Sequence, residues 1–138
     1  MLRSFFLFLL FFGPHLASAA RYQGQVVSIH DGDTLQVQIH GNPRPSNVRL
    51  VGIDAPEIKI NNDTQGEPAK DARDHLRSML PIGANVEVVT DEAQASDKNN
   101  RLLGRIVYQG VDLNEQMLRD GWAVLYVIAP YDKTMMRD

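Results

Sequence analysis

The sequence predicts a small α+β domain, mainly β, with five short strands and two helices. Its 138 residues, 43% hydrophobic and 22% charged, suffice for one folded core but not two. From Tyr22 onward, short runs rich in Val, Ile and Thr are separated by Gly, Pro, Asp and Asn, as strands are by turns. Two stretches change instead to apolar residues spaced three and four apart, the spacing of helices.

The first nineteen residues stand apart from that pattern. Arg3 is followed by an unbroken apolar run from Phe5 to Phe12, then Pro14 and the small residues Ala17, Ser18 and Ala19. This layout predicts a signal peptide over 1–19, cut after Ala19, and export to the periplasm or the medium. The run is much shorter than the ~20 residues that span a bilayer, so no stable membrane association is expected after cleavage. Loss of Arg3 leaves 13 Lys and Arg against 17 Asp and Glu, a net charge of −4. An acidic domain captures polyanions poorly, so cations would have to be focused locally. The absence of cysteine excludes disulfides, thiolate metal sites and cysteine nucleophiles. The four histidines are scattered, so any metal would be held by oxygen.

Within residues 20–138, Gln25–Ile29 and Thr34–Ile39 flank Asp31-Gly32-Asp33, a strong tight-turn signal. In the second run Leu35, Val37 and Ile39 alternate with Gln36 and Gln38, so one face is expected to be buried. A loop with Gly41, Pro43 and Pro45 leads to a third run, Val48–Val51, in which Arg49 separates two apolar residues. Residues 53–66 are rich in Pro, Asn, Asp and Gly and read as a long loop. Pro68 suits a first helical turn; Ala69, Ala72, Leu76, Met79 and Leu80 share one face before Pro81 and Gly83 stop the helix. Val86–Thr90 and Leu103–Tyr108 are the fourth and fifth strands, with a polar loop from Asp91 to Asn100 between them. Asp112 and Glu115 have capping-box spacing before an apolar stripe of Leu113, Met117 and Leu118, and Gly121 suits the C-terminal cap. Trp122–Ile128 is apolar and is expected to return to the barrel. Five strands with an inserted helix suit an OB-type barrel, among other small α+β arrangements.

Carboxylates stand on two stiffened segments, Asp31-Gly32-Asp33-Thr34 and Ile53-Asp54-Ala55-Pro56-Glu57. Hard divalent cations take carboxylate, carbonyl and water oxygens, so the two loops would form a site if they met in space. Singly, each acid is an ordinary turn or loop residue, and Arg49 and Arg101 are ordinary surface arginines. Their order is more specific. DGDT, RLVGIDAPE, a helix opened by Gln65-x-x-Pro68-Ala69, DKNNRLLGR and DLNEQMLRDGWA follow one another from about Gln25 to Tyr126.

In these linked motifs the chain resembles the staphylococcal nuclease (thermonuclease) family. The resemblance implies a five-stranded OB-fold barrel and a Ca²⁺-dependent nuclease acting on DNA and RNA, at single-stranded or unpaired regions, as a monomer. It implies Ca²⁺ ligation by Asp33, Asp54 and the Ala55 carbonyl, with Glu57 near the metal and the attacking water. Arg49 and Arg101 match the two arginines on the scissile phosphate, and Lys98 and Tyr126 the nucleotide pocket. Two departures accompany it. Asn99-Asn100 replaces a Tyr-Gly pair, and the third, C-terminal helix of the family is expected to be missing. The alternatives are a nuclease-like module that binds nucleic acid or protein without cutting, and a truncated inactive homologue.

Overall fold

A computed structural model of the chain describes residues 19–58, 66–91 and 95–126. Residues 1–18 of the expected 1–19 leader and the C-terminal segment on which the missing-helix expectation rests lie outside them. No helix among the described residues is long and apolar enough to cross a membrane.

Five strands form the barrel: β1 (Ala19–Ile29), β2 (Thr34–Ile39), β3 (Ser46–Leu50), β5 (Asn85–Asp91) and β6 (Leu102–Tyr108). They run in the order β3-β2-β1-β5-β6, and parallel pairing of β3 with β6 closes the ring. The short strands β4 (Ile53–Asp54) and β8 (Val124–Leu125) form a separate ladder, and β7 (Val111–Asp112) turns back on β6. Helix α1 (Glu67–Met79) follows β4, and α2 (Leu113–Arg119) follows β7. The expected mainly β barrel with two helices is what the described residues form.

Closure depends on β1, which begins earlier than its apolar pattern implies. Its first half pairs with β5 from Ala19↔Asp91 to Gln25↔Asn85, and its second half with β2 from Gly24↔Ile39 to Ile29↔Leu35. A register shift between Val26 and Ser28 marks a bulge, the device that bends a strand around a barrel corner. Gly24 lies where both pairings overlap. A Cβ there would meet the Gln38 carbonyl oxygen and Val37 Cγ1, each at 2.7 Å, so the close approach of β2 requires glycine.

Alternation in β2 is realised: Leu35, Val37 and Ile39 are buried, Gln36 and Gln38 half-buried. They join Val26, Ile29, Val48, Leu50, Val86, Val88 and Ile106 in one core, plugged by Leu76 and Leu80 from the α1 end and by Leu113 and Met117 of α2. Each fully buried Leu, Ile or Met stabilises the fold by roughly 1.5–3 kcal/mol relative to exposure. Both helices obey their sequence signals. Pro68 sits in the first turn of α1, and the Asp112 side chain caps α2 by accepting from the Glu115 N–H at 3.2 Å. Gly121 adopts φ 76 just after the helix.

The segment after α2 corrects one expectation. Val124 and Leu125 do not re-enter the barrel but pair with Asp54 and Ile53, and remain largely exposed. Correspondingly, part of the expected 53–66 loop is strand. An isolated apolar run does not reveal its partner, and here the free edge is offered by β4 rather than the closed barrel. Trp122 leans on α1 instead, stacked on His75 with ring centroids 5.5 Å apart.

One buried polar residue escaped the motif reading. Asn114, 4% exposed, donates from Nδ2 to the Val51 carbonyl at 2.9 Å and the Gly104 carbonyl at 3.1 Å, and its Oδ1 accepts from the Ile106 N–H at 3.2 Å. It pins α2 to β6 and to the turn after β3. Asn114→Ala should therefore strand buried backbone groups and cost about 2–3 kcal/mol, read as a lowered urea midpoint with an unchanged slope.

Candidate active site

Three chain segments meet at one end of the barrel. The β1–β2 turn brings Asp31 and Asp33, the end of β3 brings Arg49, and β4 with its following turn brings Asp54, Ala55 and Glu57. Parallel pairing aligns Arg49 with Leu103, so the loop before β6, with Asp97, Lys98 and Arg101, closes the fourth side. The result is an open cleft of about 610 Å³ lined by Asp31, Asp33, Arg49, Asp54, Glu57, Lys98, Arg101 and Tyr126, among others. Seven of the eight residues singled out from sequence thus line one cleft, and Ala55 lies buried behind it.

Asp33 ties the loops together. Its carboxylate is nearly sealed from solvent, with Oδ2 accepting the Ala55 N–H at 2.8 Å and Oδ1 the Thr34 hydroxyl at 3.0 Å. Its backbone carbonyl accepts the Leu50 N–H at 2.8 Å. Close contact is possible because residue 32 is glycine. A Cβ there would lie 2.7 Å from Ala55 Cβ and 3.0 Å from Ala72 Cβ, forcing the β4 turn and α1 away.

Arg49 faces this cluster on the outward side of β3. Its Nη2 lies 3.3 Å from Asp33 Oδ2 and 3.3 Å from Asp54 Oδ1, while Nη1 donates to the Leu50 and Ile53 carbonyls. One guanidinium is thus divided among four acceptors. Burial, then the Asp31 charge, pushes the Asp33 carboxyl up to about 6, and Arg49 offsets this only in part. Burial and the Asp33 charge likewise raise Asp54.

Arg101 is oriented by Asp97, to which no role is assigned from sequence. Asp97 accepts from the Asn99 N–H at 2.9 Å, the Arg101 N–H at 3.0 Å and the Arg101 Nε at 2.8 Å. Burial works to raise its carboxyl, but the bonds from Arg101 and Asn99 outweigh it and hold Asp97 low. Asn100 takes the left-handed turn at φ 59, which asparagine tolerates better than most residues. Tyr126 reaches the cleft because its N–H donates to the Gly52 carbonyl at 2.9 Å beside the β4–β8 ladder.

Comparison with known proteins identifies the family. Residues 47–137 match the family described as staphylococcal nuclease homologue. The chain belongs to that family. It is 29% identical over 124 residues to "Endonuclease YhcR" of Bacillus subtilis, covering 84% of this chain and 10% of that protein. It is 31% identical over 104 residues to "Endonuclease YncB" of the same organism, covering 75% and 48%. An uncharacterized protein of Bacillus anthracis is 31% identical over 109 residues, covering 78% and 50%. The chain therefore spans half or less of the length of these relatives.

In this staphylococcal nuclease homologue, the oxygen-rich end of the cleft has the chemistry of a hard-cation site. Among the described residues no three His, Asp or Glu side chains converge as a metal cluster. The protein side would thus supply the neighbouring carboxylates of Asp33 and Asp54, with backbone carbonyl and water completing the shell, oxygen donors of the kind hard divalent cations take. Both carboxyls are raised first by burial and then by a neighbouring acid, with Arg49 lowering each only in part. Asp31 belongs to this end too. It is 5% exposed, its Oδ1 accepts the Asp33 N–H at 3.1 Å, and it adds charge at Asp33. Only its burial distinguishes it from a common Asp-Gly turn residue.

The pH dependence has a definite sign. Between the ordinary 3.8 and about 6, folded Asp33 holds more proton than unfolded Asp33, so its contribution to stability is full below pH 4 and falls as pH rises to 6. In chelator, the melting temperature of the native chain should drop relative to Asp33→Asn between pH 4 and 7, by differential scanning fluorimetry. A parallel pair of curves would contradict this assignment.

Proposed function

We propose that this chain is an exported, Ca²⁺-dependent nuclease that hydrolyses phosphodiester bonds of DNA and RNA in single-stranded or unpaired regions, acting as a monomer. The observation that carries the reading is the convergence of Asp33, Asp54, Glu57, Arg49 and Arg101, from separate loops, on one open cleft. Membership of the staphylococcal nuclease homologues, with relatives named endonucleases, supports the reaction class.

Hydrolysis forms one P–O bond to a water oxygen and breaks one P–O ester bond, with negative charge growing on the non-bridging oxygens. Arg49 and Arg101 present planar forks suited to those oxygens, and preorganised charge of this kind is usually the largest catalytic term. Asp97 positions Arg101 through Nε, leaving its terminal nitrogens for phosphate. Asp33, Asp54 and the Ala55 carbonyl would hold Ca²⁺, which when bound neutralises charge on the phosphate. With those carboxylates so engaged, the Arg49 Nη2 that lies against both is available to substrate. Glu57, exposed at the cleft, receives the proton of the attacking water; the leaving oxygen takes a proton from solvent. Lys98 and Tyr126 flank the site as nucleotide contacts.

Single-stranded DNA and RNA should be cut with Ca²⁺ and left intact with chelator. Arg49→Ala and Arg101→Ala should each lower kcat by about 10²–10³-fold, and Glu57→Gln by about 10²–10⁴-fold. Calcium should also raise the melting temperature at pH 7. Binding without cleavage by the native chain would instead identify a non-catalytic module, and absence of both an inactive homologue.

Export rests on Arg3, the Phe5–Phe12 run and Ala17-Ser18-Ala19. A cut after Ala19 leaves Ala20 opposite Thr90, so all but one residue of β1 is retained. The mass of protein recovered from periplasm or medium should correspond to a chain starting at Ala20; recovery of the uncut chain in the cytoplasm would refute export.

A further inference from the structure

A second polar groove of about 540 Å³ adjoins the cleft, and the two share Ser96. Its lining includes Asn42, Arg44, Asn47, Asn100 and Ser96, and among the described residues no carboxylate. The boundary between groove and cleft runs between neighbouring residues. On β3, Asn47 belongs to the groove and Arg49 to the cleft; before β6, Asn100 belongs to the groove and Arg101 to the cleft. Residues two apart on a strand share a face and lie about 7 Å apart, on the scale of one nucleotide step. A chain leaving the cleft between Arg49 and Arg101 therefore runs onto Asn47 and Asn100.

Charge distribution singles out the same groove. Among the described residues every lysine and arginine lies in an ion pair except Lys98 and Arg44. Lys98 lines the cleft and Arg44 the groove. On a chain of net charge −3, these two unpaired cations of the described residues thus stand in two adjoining concavities. Arg44 is exposed yet carried on stiff backbone. It lies between Pro43 and Pro45, which fix their own φ and confine the residue before each to extended conformations. The loop is further tied by the Asn42 N–H to the Ile39 carbonyl at 3.1 Å and by Gln38 Nε2 to the Asn42 carbonyl at 2.7 Å. Holding a cation in place in this way reduces the ordering cost of binding.

We propose that the Arg44 groove is a second subsite, holding a phosphate of the same single strand whose scissile phosphate lies in the cleft. The inference rests on the nuclease reading, and it makes the substrate a chain threaded along the β3–β6 seam rather than a nucleotide held at one point. Arg44 supplies the charge, and Asn47 and Asn100 supply neutral hydrogen bonds to phosphate or base.

Affinity for a dinucleotide and for an oligothymidylate of about eight residues, within the span one OB barrel covers, tests the assignment. Fluorescence anisotropy with Ca²⁺ would use full-length chains that all carry Glu57→Gln, so that the strand stays uncut. Arg44→Ala should weaken the longer strand about fivefold, leave the dinucleotide unchanged, and make the log–log salt dependence shallower by about 0.7, the loss of one phosphate contact. Arg119→Ala removes an equal charge that lines neither concavity and should leave the length dependence intact. Unchanged binding of the longer strand by Arg44→Ala would overturn the subsite alone, as would equal losses for Arg44→Ala and Arg119→Ala. Equal loss at both lengths would place Arg44 in the cleft and overturn it too. Failure of the chain bearing Glu57→Gln alone to bind either length would overturn the nuclease reading together with the subsite.

Discussion

Much of this structure depends on one buried carboxylate. Asp33 reaches from the β1–β2 turn to the Ala55 N–H, while its carbonyl receives the Leu50 N–H and Arg49 lies against its side chain. Three chain segments distant in sequence are thereby held within a few ångströms. Burying a charge is costly unless it is hydrogen-bonded and paired. Here the pairing is incomplete, because Arg49 also serves Asp54 and two carbonyls. Burial first, and then the Asp31 charge, keep the carboxyl raised although Arg49 lowers it. That burial destabilises the ionised protein, and it leaves Asp33 and Asp54 sharing one guanidinium at the cleft.

The barrel makes the imbalance possible. A bulge between Val26 and Ser28 lets β1 serve two neighbours, and parallel β3–β6 pairing closes the ring. Closure brings the β1–β2 turn, the end of β3 and the loop before β6 to the same rim. An open sheet of the same strands would have left Arg49 and Arg101 on opposite edges. Asn114 reinforces that closure from outside by bonding β6 and the turn after β3 with one amide. Such fully satisfied buried networks hold backbone in a single arrangement, which a phosphate site needs if its guanidiniums are to be aimed before substrate arrives.

Acidic composition and the proposed polyanionic substrate are reconciled by where the ion pairs fall. Most cations neutralise their own neighbours, as Arg21 does with Glu87, Arg105 with Asp112 and Arg119 with Glu115. Exposed pairs of this kind contribute little stability, but they remove positive charge from the surface away from the cleft. Lys98 and Arg44 keep theirs. Among the described residues the cations outside ion pairs thus fall on one rim, where a protein of net charge −3 keeps positive charge beside its carboxylates.

Local chemistry determined a good deal without help from the fold. Alternation of Leu35, Val37 and Ile39 sets the inward face of β2, and Asp112, Pro68 and Gly121 set helix ends, because each acts on backbone within a few residues. The ordered motifs also placed Asp33, Asp54, Glu57, Arg49, Lys98, Arg101 and Tyr126, all of which line one cleft. Tertiary structure alone decided what each of them faces. That Asp31 is buried and that Asp97 orients Arg101 depend on how their loops fold, whereas the tie of Asn114 to Val51 and the pairing of Val124-Leu125 with β4 are long-range facts. No periodicity encodes a partner tens of residues away. The same limit hid the Arg44 groove, since only closure of the barrel sets a proline-flanked loop beside Ser96 and Asn100.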